Sequence, residues 1–414
     1  MRIAVVGAGV SGIACAYLLS RTHEVVLHEA QSRLGGHTHT HEVELAGRQL
    51  AIDTGFIVCN PAHYPLFMQF LAELRVATQP TTMSFAVRND ASGLEYNATS
   101  IAGLFLQKRR VFSPRHWRMI SDILRFYREA PALLREPWPG PSIGEFLDAH
   151  DYSDAFRDDH LVPMASALWS SPSRQVLEFP ARHLVAFMAN HHMLQARDRP
   201  EWRVLRGGSS SYIRAAVQRM TVQVRTDSAV TGVCRRPDHV EVRTAAGSER
   251  YEEVVLACHG DQALAMLDDP TPAEREVLGA FHYQANDTVL HTDASQLPRD
   301  RRAWAAWNAL VPRDPADECT VSYCMNVLQS IESPEPIVVT LNRTAAIDPA
   351  RILRRIAYRH PVFDASSVAA QQRRDEINGN QRTWYSGAYW RYGFHEDGMR
   401  TAVEVANRLG VAWP

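Results

Sequence analysis

The stretch from Arg2 to Gly36 restricts the fold more than any other part of the chain. Ile3-Ala4-Val5-Val6 is a short apolar run of the kind that forms a buried parallel strand. Gly7-Ala8-Gly9-Val10-Ser11-Gly12 follows directly, and Ile13 to Ser20 then has a helical pattern. The first glycine permits the tight turn, the second lets backbone approach a pyrophosphate, and the third lets helix and strand pack closely. A helix starting there presents free N–H groups and a partial positive charge to a phosphate. Glu24 to His28 supplies a second strand, with Glu29 at its end. A carboxylate in that place accepts hydrogen bonds from ribose hydroxyls and repels a 2′-phosphate. Strand, glycines, helix, strand and acid in register specify a βαβ unit that binds a dinucleotide, and hence an α/β protein on a Rossmann-like sheet.

Arg33-Leu34-Gly35-Gly36, a few positions past the acid, narrows the choice. With that extension the sequence resembles the flavin-binding superfamily of amine oxidases and phytoene-type desaturases, whose fingerprint continues into an R-x-G-G turn. The resemblance implies FAD, held non-covalently unless a cysteine or histidine attaches it. It also implies a glutathione-reductase-type FAD-binding domain with an inserted α+β substrate domain, the amine oxidase-like arrangement. Carried onto this chain, the FAD contacts are Gly7, Gly9, Val10, Ser11 and Gly12 at the phosphate turn, then Glu29 and Ala30 at the ribose. Arg33, Gly35, Gly36 and His37 follow along the R-x-G-G turn. The position of His37 is commonly arginine in amine oxidases, so this chain departs from the pattern there. Asp53-Thr54-Gly55-Phe56 resembles the family's small-residue turn near the isoalloxazine ring, which adds Thr54, Gly55 and Phe56.

With 414 residues the chain can form two domains or one large composite, and a net charge of −2 gives no reason to expect a nucleic-acid partner. No run reaches the roughly 18 apolar residues of a membrane span. With the first strand starting at Arg2, no signal peptide is expected. Six cysteines (Cys15, Cys59, Cys234, Cys258, Cys319, Cys324) form no CxxC pair and no disulfide-like spacing. A cytoplasmic protein with reduced thiols is expected. Lys108 is the only lysine; the other basic residues are arginines.

Residues 1–76 read as the first part of the FAD-binding domain, with strands over 43–45 and 49–52 about the turn Ala46-Gly47-Arg48 and a helix from Ala62 to Leu74. His37, His39 and His41 share one face of the incoming strand; the spacing suits a metal, but no metal site is assigned. Residues 77–204 read as the mostly helical first part of the substrate domain. They open with a hairpin from Met83–Arg88 to Leu94–Tyr96, and include helices over 153–169 and 179–192. Within them, 108–128 is basic and amphipathic: Trp117, Ile120, Leu124 and Tyr127 recur at helical spacing among Arg118, Arg125 and Arg128. Two readings stand: a solvated helix of the substrate domain, or a contact that holds the protein peripherally on the inner face of the plasma membrane. Residues 205–280 return to the FAD-binding domain, where Val254 to His259 is a buried parallel strand ending in a small residue. In the resembling family such a strand, here ending at Ala257, lies under the dinucleotide, with a backbone contact to adenine from near Val230. Residues 281–376 form the second part of the substrate domain, with strands over 288–292, 320–326 and 337–341. Trp304, Trp307 and Tyr323 supply aromatic surface for a substrate.

Residues 377–414 close the FAD-binding domain. Thr383 to Gly387 reads as a strand ending in glycine, Tyr389 to Gly398 as an aromatic loop, and Met399 to Arg408 as a helix. Family members end this way, with the loop facing the flavin and the helix N-terminus directed at its pyrimidine end and ribityl chain. The implied contacts are Gly387, Gly393, Phe394, Glu396, Asp397 and Met399. Helix N–H groups and dipole stabilise the electron-rich reduced ring. Trp390 lines the substrate pocket in this reading, and His395, Tyr389 and Tyr392 are the candidates for moving a proton.

Within the superfamily the sequence is most similar to bacterial NAD/FAD-binding proteins that accompany cyclopropane-fatty-acyl-synthase-like lipid methyltransferases. Asp53-Thr54-Gly55-Phe56-Ile57, Arg197-Asp198-Arg199-Pro200, Gly387-Ala388-Tyr389-Trp390 and Gly393 to Gly398 carry that likeness. It implies an oxidoreductase that removes hydride from a C–H bond of an apolar, fatty acyl substrate, a small molecule or lipid. Amine oxidation is the alternative. Many amine oxidases use a lysine near flavin N5, and Lys108 lies in the wrong segment for that. A flavin-dependent fatty acid isomerase, or a flavin protein without turnover, is the third reading.

Overall fold

The computed structural model describes residues 1–169, 171–195, 200–314 and 320–413. Arg197-Asp198-Arg199 of the motif above, and Cys319, lie outside the described residues. The other five cysteines are unpaired.

Two sheets organise the molecule. The first has five parallel strands in the order Thr383–Tyr385, Glu253–Leu256, Arg2–Val6, Glu24–His28, Val222–Arg225. The opening strand is therefore central, with Val5 between Val255 and Leu27. This is why Ile3 to Val6 is apolar without alternation. Its strands come from residues 1–76, 205–280 and 377–414. The glycine turn leads into the helix Val10–Leu19, all of whose residues are buried. It is enclosed by the sheet and by the closing helix His395–Arg408, which together form one apolar cluster with it. Two glycines allow this approach. A Cβ on Gly12 would stand 1.8 Å from the Gly7 carbonyl oxygen, and one on Gly398 2.7 Å from Val10 Cγ1.

The second sheet has seven strands, ordered Ile352–Val362, His282–His291, Val338–Leu341, Thr320–Cys324, Trp307–Val311, Phe85–Asn89, Leu94–Asn97. Its parallel pairing, Trp307–Val311 with Phe85–Asn89, joins residues from 77–204 to residues from 281–376. Helices from Pro114–Glu129 to Ala181–Asn190 pack beside this sheet around Phe126, Phe156, Trp169, Phe179 and Phe187. With a parallel nucleotide-type sheet and an inserted mixed α+β unit, the architecture is amine oxidase-like.

Several local expectations shift. The helix expected from Ala62 is Pro65–Leu74, starting with proline at its first position, where the missing N–H costs nothing. The 153–169 helix is divided into Asp154–Phe156, a wider π-type turn Arg157–Leu161, and Val162–Trp169. The strand carrying the histidines begins only at Thr40; His39 and His41 still lie side by side, rings 3.8 Å apart, while His37 turns to His259, Tyr358 and His360. In the helix Pro114–Glu129 the stripe facing the core is His116, Met119, Ile123 and Phe126. Of the four residues that recur at helical spacing, Trp117 and Leu124 are exposed.

Candidate functional site

The glycine turn is built to receive an anion. Gly7, at φ 97°, donates its N–H to the His28 carbonyl at 2.8 Å. Gly9 caps the helix Val10–Leu19 with no side-chain hydrogen bond, and a Cβ placed there would meet nothing within 4 Å. Open space thus lies over the first turn of a helix whose N-terminal donors no side chain caps. The R-x-G-G turn folds onto it: Gly35 donates to the Ala8 carbonyl at 2.8 Å, and a Cβ on Gly36 would be 3.1 Å from Gly9 Cα. Arg33 reaches back to the carbonyls of Gly36 (2.8 Å) and Thr38 (3.4 Å), so its guanidinium holds this turn together. Glu29 accepts from the N–H groups of Ala8 (2.8 Å) and Gln31 (2.9 Å), which fixes its carboxylate at the end of the second strand. Ser228 donates to the Glu29 carbonyl at 2.8 Å, bringing the segment that carries Val230 beside Glu29 and Ala30. Ala257 lies under the turn, its carbonyl oxygen 2.9 Å from the Cβ position of Gly7.

The closing loop distributes its aromatic residues among three cores, and this corrects the expectation of a single wall. Tyr389 and Trp390 pack on Phe281 at 4.7 and 5.1 Å, within the cluster behind the first sheet. Burial pushes the Tyr389 phenol well up, and its hydroxyl has no partner. Tyr392 turns the other way, to His183 (5.1 Å) and Phe187 (5.6 Å) in the helical cluster. Phe394 stacks on Phe187 at 5.0 Å. His395 enters a third environment. Its ring lies 3.5 Å from that of Phe56, and Nε2 is 3.0 Å from Thr38 Oγ1 and 3.3 Å from the Tyr212 hydroxyl. Burial pushes this imidazole down to about 3, so it is neutral. His395, Tyr389 and Tyr392 are therefore not one catalytic cluster.

The proposed substrate aromatics are dispersed as well. Trp307 and Tyr323 are a cross-strand pair, 5.1 Å apart edge to face. Trp304 donates to the Pro298 carbonyl at 2.8 Å in a small separate cluster, and Trp390 is on the cofactor side. Thr54 shares a 2.7 Å hydrogen bond with the Tyr358 hydroxyl, and Gly55 lies against the His37 carbonyl, where a Cβ would stand 2.1 Å from the oxygen. Glu396 accepts from the N–H groups of Leu66 (3.2 Å) and Phe67 (3.0 Å), so its carboxylate caps the helix Pro65–Leu74. Asp397 accepts from the Phe394 N–H at 3.0 Å, and burial pushes it up to about 6. Met399 is fully buried in the core behind them.

One group escaped the sequence reading. His37, which follows Gly36, has its ring 5.1 Å from those of His360 and Tyr358 and 6.1 Å from that of His259. Burial holds His259 and His360 down at about 4 and His37 well below its ordinary value. Nε2 of His37 and Nδ1 of His259 are buried without partners. Gly36 lies on Gly9 and Cys258 on Gly7, so both histidines immediately follow residues that touch the glycine turn. Only His37 carried a signal, as the departure from arginine. His259 and His360 meet it through pairing of distant strands.

An uncapped helix start, open space over Gly9, the carboxylate of Glu29 and unpartnered imidazoles beside the turn fit the phosphates and ribose of a dinucleotide. The sequence profile of the flavin containing amine oxidoreductases matches residues 10–300, and the chain belongs to that family. FAD is its cofactor. Among individual proteins, the flavin-dependent L-tryptophan oxidase RebO of Lentzea aerocolonigenes is 24% identical over 324 residues, 74% of this chain. The match spans 64% of that relative's length. Among solved structures, a CLA-producing fatty acid isomerase from P. acnes superposes with a TM-score of 0.71 at 14% identity, covering 98% of each chain. Cyclohexylamine oxidase from Brevibacterium oxydans does so with 0.71 at 15%, covering 99% of each. Both likenesses show the fold.

Proposed function

We propose that this chain is an FAD-dependent oxidoreductase that removes hydride from a C–H bond of an apolar, fatty acyl substrate. The observation that carries the reading is the continuous apolar cluster of the helical unit. It runs from Met119 and Phe126 through Phe156 and Trp169 to Phe187 and Phe394, and so ends one residue from His395 at the first turn of the closing helix. An apolar unit that reaches this turn is the surrounding that a substrate with a long acyl chain would call for. The likeness to flavoproteins that accompany lipid-methylating enzymes supports the same substrate class.

Bound FAD supplies the hydride acceptor. The chain's own part is to hold it and to keep the site dry. Val10 to Gly12 would offer N–H groups to the phosphates and Glu29 would accept from the ribose, with the unpartnered nitrogens of His37 and His259 beside the turn. His395, Thr38 and Tyr212 form a hydrogen-bonded set with distances of 3.0, 2.7 and 3.3 Å. Because the His395 imidazole is neutral, this set can pass a proton along without storing one.

Amine oxidation is the second reading, favoured by the family and by the tryptophan oxidase relative. Against it, the only lysine, Lys108, is exposed on a surface turn far in sequence from the closing loop. Anaerobic mixing of the holoprotein with unsaturated or methylated acyl lipids, and separately with amines and L-amino acids, distinguishes the readings. Bleaching of the flavin band by lipid alone, reversed by oxygen, is expected. Bleaching by amines but not by lipid would overturn the proposal. Lipid product formed while the flavin stays oxidised would replace it with isomerisation.

A further inference from the structure

The large apolar side chains that the molecule leaves exposed are not scattered. Among the described residues, and apart from Met1, they are Ile101, Val111, Phe112, Trp117 and Leu124. All five fall within a short helix, a longer one and the turn between them, Ile101–Leu104, Pro114–Glu129 and Lys108–Phe112. Phe112 is 87% exposed and Ile101 78%, values at which a side chain has almost no protein around it. The three pieces are locked together. Nε1 of Trp117 donates to the Val111 carbonyl at 2.7 Å, its ring is 4.9 Å from Phe105, and His116 Nε2 is 2.9 Å from the Leu104 carbonyl. Leu124 is two turns beyond Trp117 on the same side of the helix.

The same surface is cationic in a chain whose net charge is −2. Between residues 108 and 128 stand seven Lys or Arg against one acid, Asp122, which is buried. Arg115 pairs with the buried Asp159, Arg118 with Asp122, and Arg125 and Arg128 with Glu129. Lys108, Arg109 and Arg110 have no carboxylate partner among the described residues. Arg109 and Arg110, with Ser92, Phe112 and Ser113, line an open depression of about 340 Å³. Lys108 and Arg109 are exposed at this turn, while Arg110 is held by Gln107 Oε1 (3.1 Å) and the Ser92 carbonyl (2.9 Å).

We propose that this face docks on an anionic lipid bilayer, with Phe112, Trp117 and Leu124 entering the boundary between head groups and acyl chains and Lys108, Arg109 and Arg110 engaging lipid phosphates. A bilayer suits the patch better than a folded partner does. Its apolar side chains project far from the surface, Phe112 and Ile101 most of all, which suits a fluid receiver. Cations and bulky apolar groups on one helical surface are the combination that binds an interface without crossing it. No described helix is long and apolar enough to cross a membrane. On its inner side the helix Pro114–Glu129 belongs to the apolar cluster that ends at Phe394, so the docked face is also the outer wall of the proposed substrate region. The docking itself does not depend on the identity of the substrate.

The test is co-sedimentation of the FAD-loaded full chain with phosphatidylcholine vesicles, with and without phosphatidylglycerol, over a range of salt. Binding to the anionic vesicles at low salt, and release by salt, are expected. Phe112→Ser combined with Leu124→Ser should lower partitioning at least about tenfold, given the area these side chains would bury. Lys108→Gln combined with Arg109→Gln should lower it about fivefold for each charge removed. All four side chains lie at the surface, so FAD content and circular dichroism should match the parent. Should a variant lose FAD, quenching of parent tryptophan fluorescence by brominated acyl chains still reports insertion. No sedimentation at low salt, equal binding to neutral and anionic vesicles, or variants that bind like the parent would each overturn the proposal. So would a concentration-dependent dimer that Phe112→Ser abolishes in a protein that ignores vesicles.

Discussion

His183 offers a clean test of how the helical core is held together. Its imidazole is buried among Trp169, Phe363 and Tyr392, at 6.2, 5.4 and 5.1 Å, and Nε2 has no hydrogen-bond partner. Burial alone pushes it down to about 4. In the unfolded chain a histidine titrates near 6.5, and each pKa unit is worth about 1.4 kcal/mol. A folded-state pKa below the unfolded one gives stability that is complete above 6.5 and is lost as pH falls from there toward 4. The loss from this single group reaches about 2 kcal/mol at about pH 5 and about 3 kcal/mol below pH 4. His183→Leu removes the titrating group and the unpaired nitrogen while leaving an apolar side chain in place. Urea unfolding followed by circular dichroism should therefore show parent and variant within about 1 kcal/mol of each other near pH 8, and the variant ahead by about 2 kcal/mol near pH 5. Asp53 and Asp397, both pushed up to about 6 by burial, act in the opposite sense, adding stability as pH falls through 6 toward their ordinary values. They are present in both proteins and cancel in the difference. Parallel pH profiles for parent and variant would refute the claim that His183 is held neutral by its surroundings.

Other outcomes follow from the cofactor side. Glu29→Ala should weaken FAD binding by about 1–3 kcal/mol, the scale of hydrogen bonds to a charged group, measured by fluorescence titration of the apoprotein. Gly12→Ala puts a Cβ 1.8 Å from the Gly7 carbonyl oxygen, where backbone on both sides leaves no room to yield, so the purified protein should be colourless. Glu396→Ala leaves the N–H groups of Leu66 and Phe67 without their acceptor and should cost about 1–3 kcal/mol in thermal unfolding, in apo and holo forms alike.

What could be read from the amino acids was whatever is encoded locally. The glycine turn, the two flanking strands and the closing helix announce themselves through adjacent residues, and Gly7, Gly12 and Gly36 stand where the motif requires. The long strand Ile352–Val362 went unread. It lies at the edge of its sheet, pairs on one side only, and carries Arg354, Arg355 and Arg359, so no alternation marks it. Trp307–Val311 was missed as well: it is sandwiched between Thr320–Cys324 and Phe85–Asn89, the latter more than two hundred residues earlier. The closing loop misled for a different reason. Sequence shows that Tyr389, Trp390, Tyr392 and Phe394 are close together along the chain, but not that the first two pack on Phe281 and the last two on Phe187. Glu396 and the His37–His259–His360 group likewise depend on partners that no local pattern reveals.

The place of the first strand has a temporal consequence. Arg2–Val6 sits at the middle of the parallel sheet, yet its neighbour Glu253–Leu256 and the flanking Thr383–Tyr385 are synthesised hundreds of residues later. The helix that covers Val10–Leu19 is later still. During translation the nucleotide turn must wait, half-sheathed, until residues 383–408 have left the ribosome, and FAD has no finished cradle before then. A nascent chain halted near residue 380 should therefore be open to proteases in its first fifty residues, while the released polypeptide resists them.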